Sequence, residues 1–171
     1  MAAFKGHTKG VHAVRWLPAA AGGHLLLSAS MDRTLRLWQA TGDHACVRTY
    51  LGHAQAVRDA SFSADGKHFL SAGYDKWVKL WDTETGQCVS RFSRGSVPYC
   101  VKFQGDPDHQ AEFLVGQQDR RIVQWDSRIG GGDDGVVQLY QQHLGPVNSI
   151  TFVDGHRRFL STSDDKSLRL W

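Results

Sequence analysis

Proline and cysteine are both scarce in this chain, with 4 and 3 copies in 171 residues. Cys46, Cys88 and Cys100 are odd in number and show no CxxC spacing, which excludes a disulfide framework and predicts reduced thiols in a nuclear or cytosolic compartment. Runs of four like charges are absent, and 20 Lys and Arg against 17 Asp and Glu leave a net charge of +3, too weak a bias to name a nucleic-acid partner. Long apolar runs are absent too. The stretch without Asp, Glu, Lys or Arg from Trp16 to Met31 is shorter than the roughly 20 residues a bilayer needs, and Pro18, Gly22 and Gly23 interrupt it. The opening MAAFKGH lacks an apolar core of signal-peptide length, and no sustained helical period appears. What is present, 41% hydrophobic residues with 18 Gly and 6 Trp, is the composition of a folded chain of about one domain.

Its organisation is a repeat. Trp38, Trp81, Trp125 and Trp171 recur at intervals of 43, 44 and 46 residues, and six residues before each stands Asp32, Asp75, Asp119 or Asp165. An earlier segment closes on Trp16, Phe62, Phe103 or Phe152, and nine residues before these come His7, His53, Arg94 and His143. Four residues before each Asp are Ser28, Ser71, Val115 and Ser161, so the repeat that lacks His also lacks Ser. Between the anchors lie short apolar or alternating runs rich in β-branched residues, such as VHAVRWL, HLLLSAS, TLRLW and CVRTYL, about four strands per period. The polar strings Ala64-Asp65-Gly66-Lys67, Thr83-Glu84-Thr85-Gly86 and Gly130 to Gly135 separate them.

Four antiparallel strands per period, opened by Gly6-His7 or Gly52-His53 and closed by Trp81-Asp82 or Trp125-Asp126, resemble the blades of WD-repeat propellers. The fold class expected is all-β: a WD40 β-propeller fragment of about four blades of four antiparallel strands, not closed. The repeats run over approximately 4–46, 47–90, 91–137 and 138–171, the last without its outermost strand. Open ends of this kind call for further protein or a capping partner. The resemblance also implies that in each intact blade Asp holds His, His holds Ser, and Ser meets the Trp indole N–H.

Ser71, His53 and Asp75 could be mistaken for a hydrolase triad, but a catalytic set occurs once, whereas this one appears three times, always with its Trp and without GxSxG. His7, Ser28, Asp32, Trp38, His53, Ser71, Asp75, Trp81, Asp119, Trp125, His143, Ser161, Asp165 and Trp171 are therefore read as a structural network. No catalytic, cofactor or metal site is expected: His12, His24, His44, His68, His109 and His156 lack ligand spacing, and Gly130-Gly131-Gly132 is followed by Asp133-Asp134, which repels phosphate. The third repeat is expected to be the softest, held by Phe103, Ile122, Trp125 and Leu139, while Cys46 and Cys88 read as packing residues of outer strands.

More specific strings, among them FLSAGYDKWVKLWDTETGQCVSRF, VPYCVKF, HLGPVNSITFVD and RRFLSTSDDKSLRLW, resemble the pre-mRNA-processing factor 17 family of WD-repeat splicing factors. The resemblance implies a nuclear, non-enzymatic scaffold acting around exon ligation, with spliceosomal proteins and snRNA or pre-mRNA as partners and no membrane or small-molecule substrate. A WD40 adaptor of another complex, such as a ubiquitin-ligase substrate receptor or histone-tail reader, is the rival reading. By analogy with other WD proteins, partner contacts are expected at Met31, Tyr74, Gln118 and Asp164, before each Asp, and at Ala13, Asp59, Cys100 and Ser149, with Arg58 and Tyr74 as exposed hot spots.

Overall fold

The computed structural model describes residues 3–19, 22–105, 111–130 and 133–171; His109, Gly131 and Gly132 lie outside the described residues. The described chain is all-β apart from a 3-10 turn at Asp133–Gly135. The first sheet contains β1 (Val11–Trp16), β2 (Leu25–Ser30), β3 (Leu35–Gln39) and β4 (Cys46–Tyr50), in that order and antiparallel. The second holds β5 (Val57–Phe62), β6 (His68–Gly73), β7 (Val78–Asp82) and β8 (Cys88–Phe92). The third holds β9 (Pro98–Phe103), β10 (Glu112–Gln117), β11 (Ile122–Asp126) and β12 (Val136–Tyr140), and the fourth β13 (Val147–Val153), β14 (Arg158–Ser163) and β15 (Leu168–Leu170). Strand β1 packs on β5, β5 on β9 and β9 on β13, so the sheets are successive blades of a WD40 propeller arc that does not close.

Blade stacking explains the strand texture. The second strands β2, β6 and β10 are buried almost throughout because a neighbouring blade or strand covers both faces, and they read as continuous apolar runs rather than alternation. The fourth strands β4 and β8 are exposed, with Ser90 half-buried, until their last residue. That last residue is the tie to the next blade: Tyr50 meets Phe69 edge-on at 4.7 Å, Phe92 meets Phe113 at 4.9 Å and Tyr140 meets Phe159 at 5.2 Å. Each Phe in turn stacks on the Trp of its own blade, Phe69 on Trp81, Phe113 on Trp125 and Phe159 on Trp171, with interplanar angles of 12°, 23° and 15°. Aromatic pairs in such geometries add about 0.5–1.5 kcal/mol beyond area burial.

On the inner strands, coverage fails in the first blade, which has no blade before it. Phe62 and Phe103, which close the inner strands of the second and third blades, are 9% and 8% exposed because the preceding blade packs on them, whereas Trp16 at the same place in the first blade is 62% exposed. Two of the thiols depart from expectation. Cys46 and Cys88 do sit at the starts of β4 and β8, but both are exposed, since an outermost strand has no strand beyond it.

Candidate functional site

The repeated polar residues meet in three blades. His7 Nδ1 lies 2.8 Å from Asp32 Oδ2 and its Nε2 2.6 Å from Ser28 Oγ, and the Trp38 indole donates to that hydroxyl at 2.7 Å. His53, Asp75, Ser71 and Trp81 repeat the arrangement at 2.9, 2.7 and 2.8 Å. His143, Asp165, Ser161 and Trp171 do so at 2.8, 2.7 and 2.8 Å. An indole only donates and a carboxylate only accepts, so with a neutral imidazole the directions follow: Trp N–H to Ser Oγ, Ser O–H to His Nε2, His Nδ1–H to Asp. A glycine is needed beside the ring, for a Cβ on Gly52 would stand 3.1 Å from Trp81 Cη2 at a φ of +153°.

The carboxylates are also held by backbone. Burial pushes the Asp75 carboxyl up, but hydrogen bonds from His53, Ala54 N–H and Trp77 N–H outweigh it and keep it below the ordinary carboxylate range. Asp32 is lowered in the same way, against burial, by Thr34, His7 and Thr8 N–H; for Asp165 the Ser167 hydroxyl leads, with Leu144 N–H and His143 adding to it. Although the connectivity matches that of a hydrolase triad, Ser71 and Ser161 are fully buried, and each hydroxyl is occupied by imidazole on one side and indole on the other.

In the third blade Val115 occupies the Ser place, paired in register with Val101 and Val123, and the Trp125 indole nitrogen is buried without a partner. The Asp119 backbone N–H donates to Ser96 Oγ at 3.3 Å, and the Asp119 carboxylate faces Arg121 at 3.7 Å rather than a histidine. Phe103, Trp125 and Leu139 belong to the cluster between the second and third blades, while Ile122 packs into the next cluster, with Val147 and Ile150.

The inner strands share a second device. In every blade a bulge displaces one residue, at His12, Arg58, Tyr99 and Asn148, each four before the closing aromatic. Bulges bend a strand and re-aim side chains. These four, together with Arg15, Lys102 and Thr151, each one before the aromatic, line an open cavity of about 420 Å³ on the concave side of the arc. Arg15, Lys102 and the bulge positions other than Arg58 were not singled out by motif; the signal available was a polar residue recurring at fixed distances before each aromatic.

Among the expected contact residues, Met31, Gln118 and Asp164 are exposed in the turns before each Asp, and Ser149 is exposed. Tyr74 and Arg58 are half-buried rather than exposed: the Arg58 guanidinium donates to Tyr74 Oη at 2.7 Å and to the Tyr99 carbonyl at 3.2 Å, and lies 4.0 Å from the Tyr99 ring centroid. Asp59 and Cys100 are buried. Asp59 forms an ion pair with Arg15 and accepts the Val101 N–H at 3.1 Å, so it ties three blades together. No cluster of His, Cys, Asp and Glu able to hold a metal occurs among the described residues.

Comparison with known proteins accords with this geometry. The WD domain, G-beta repeat model matches residues 1–39, 44–82 and 135–171, which are the blades with an intact network. Pre-mRNA-processing factor 17 of Mus musculus and that of Homo sapiens are each 58% identical to this chain over 168 residues, 98% of its length and 28% of theirs. The protein of that name from Saccharomyces cerevisiae is 34% identical over 98% of this chain and 36% of its own length. The chain thus spans only about a third, or less, of these relatives, and its similarity to them runs through the third blade, where the general repeat model falls silent. With three of its four blades matched by that model and built around the same four-residue network, the chain belongs to the WD-domain, G-beta repeat family.

Proposed function

We propose that this chain serves as a non-enzymatic interaction scaffold in pre-mRNA splicing, in the nucleus, acting around the second step, exon ligation. The observation that carries the reading is 58% identity across 98% of the chain to proteins named pre-mRNA-processing factor 17. Such identity extends beyond what the repeat itself demands, since anchors account for only a few residues per blade. The structure is compatible with scaffolding: stacked blades present rigid turns on one face, and the recurrent Ser-His-Asp sets are buried parts of the frame. Spliceosomal proteins, with snRNA or pre-mRNA inside the same assembly, are the partners this role requires.

The test is depletion of the protein from nuclear extract. Lariat intermediate and free upstream exon should accumulate, and add-back should relieve the block even with Ser71→Thr, which keeps the hydroxyl but impairs a serine nucleophile. Normal splicing after verified depletion would remove the assignment and leave a WD40 adaptor of another complex. Failure of a folded Ser71→Thr protein to rescue would point to chemistry at Ser71.

A further inference from the structure

The concave wall of the arc carries an unbalanced charge. Arg15, Arg58 and Lys102, from the inner strands of three consecutive blades, line one cavity with a single carboxylate, Asp59. That carboxylate is already engaged by Arg15 and by the N–H groups of Ala60 and Val101. All three guanidinium nitrogens of Arg15 are in use, toward Asp59, the Ala60 carbonyl and the Val14 carbonyl. Arg58 spends Nε and Nη1 on Tyr99 and Tyr74 and keeps Nη2. Lys102 is half-buried and, among the described residues, its ammonium forms neither a hydrogen bond nor an ion pair. Burial first, and then repulsion from Arg15, push its ammonium below the ordinary lysine range, and the attraction of Asp59 offsets them only in part. A half-buried cation left without a direct ion pair is costly, and an incoming anion reduces that cost.

We propose that this wall receives a carboxylate side chain from an acidic segment of a partner polypeptide, with Lys102 as its ion-pair partner and Arg58 Nη2 as a second donor. The inference concerns the concave wall alone and stands apart from the splicing assignment. Polypeptide is favoured over single-stranded RNA because RNA-binding grooves combine several free phosphate contacts with open aromatic faces. Here one ammonium is free, the Tyr99 ring lies against Arg58 at 4.0 Å, and Tyr74 is flanked by Arg58 and His12. A carboxylate is favoured over a phosphoryl group because the forked donors a dianion prefers are already committed within the wall.

Fluorescence anisotropy with the whole chain and fluorescein-labelled octaglutamate tests the site. Saturable, salt-sensitive binding is expected, weakened about tenfold by Lys102→Met and less than about twofold by Lys166→Met, an equal loss of charge at an exposed turn. Unlabelled octaglutamine should not compete. In parallel, amine acetylation followed by mass spectrometry should show Lys102 protected at least about fivefold by octaglutamate, a readout independent of any variant. Equal effects of the two substitutions, absence of Lys102 protection, or competition by octaglutamine would each overturn the proposal. Tighter binding of octauridylate, also lost in Lys102→Met, would replace the acidic polypeptide with RNA.

Discussion

The second and third blades have the same strand order, the same aromatic tie to the preceding blade and the same stacked Phe-Trp pair, yet they are held together differently. In the second, His53 links Asp75 to Ser71, and Ser71 caps Trp81. In the third, Val115 packs between valines and Trp125 keeps an orphaned N–H. The difference teaches that the blade geometry does not need the polar network once apolar stacking is in place. What the network adds is a fixed connection from the loop before the inner strand to the middle of the sheet. Losing His and Ser together is the economical way to lose it, since either alone would leave a buried polar atom without its partner.

The largest effect should come from breaking the network at its centre. His53→Ala is expected to lower stability by about 1–3 kcal/mol, because Ser71 and Asp75 both lose a buried partner, while Arg94→Ala at the matching place costs about 0.5 kcal/mol or less. Matched denaturant melts decide it, and equal losses would mean that the two blades do not differ in the way described.

A sharper comparison uses the indoles. Trp81→Phe and Trp125→Phe remove the same ring area from equivalent sites, but the first also strips a donor from Ser71 and the second removes an N–H that has no acceptor. Trp81→Phe should therefore be worse by about 1 kcal/mol. If the third-blade change were the more damaging, an acceptor for Trp125 would have to exist.

The smallest effect is on acid sensitivity. Asp75 is held below its ordinary value in the folded chain, so its contribution is fully present above the unfolded carboxylate value of about 3.9 and fades as pH falls through the lower folded one. Denaturant midpoints should drop as pH is lowered from about 4, and Asp75→Asn should make that drop shallower. An unchanged slope in the variant would show that Asp75 takes no part in it.

Much of this molecule is visible in a linear reading. The Trp and Asp intervals, the His and Ser places and the turn residues carry the repeat, because each blade must satisfy the same hydrogen bonds at the same strand positions. The ladder of Tyr50, Phe92 and Tyr140 onto Phe69, Phe113 and Phe159 was not legible: each Phe stands six residues before its Asp, but pairing across blades is a relation between segments that no single period displays. The fate of Arg58, Tyr74 and Asp59 was not legible. Residues in inner strands and turns look exposed in sequence, and only the stacking of three blades turns Asp59 into a buried tie and lays Arg58 across Tyr99. The bulges at His12, Arg58, Tyr99 and Asn148 belong to the same class, since a bulge is a mismatch in register between two strands and strand pairing exists only once the sheet has formed. Sequence by itself thus determined the repeat and the places of its polar residues, which depend on local spacing, while the strand order and the connections of the network came with the resemblance to WD-repeat blades. Tertiary structure alone decided which polar side chains meet on the concave wall and which charge among them is left without a partner, because burial and pairing arise between blades that are distant in the chain.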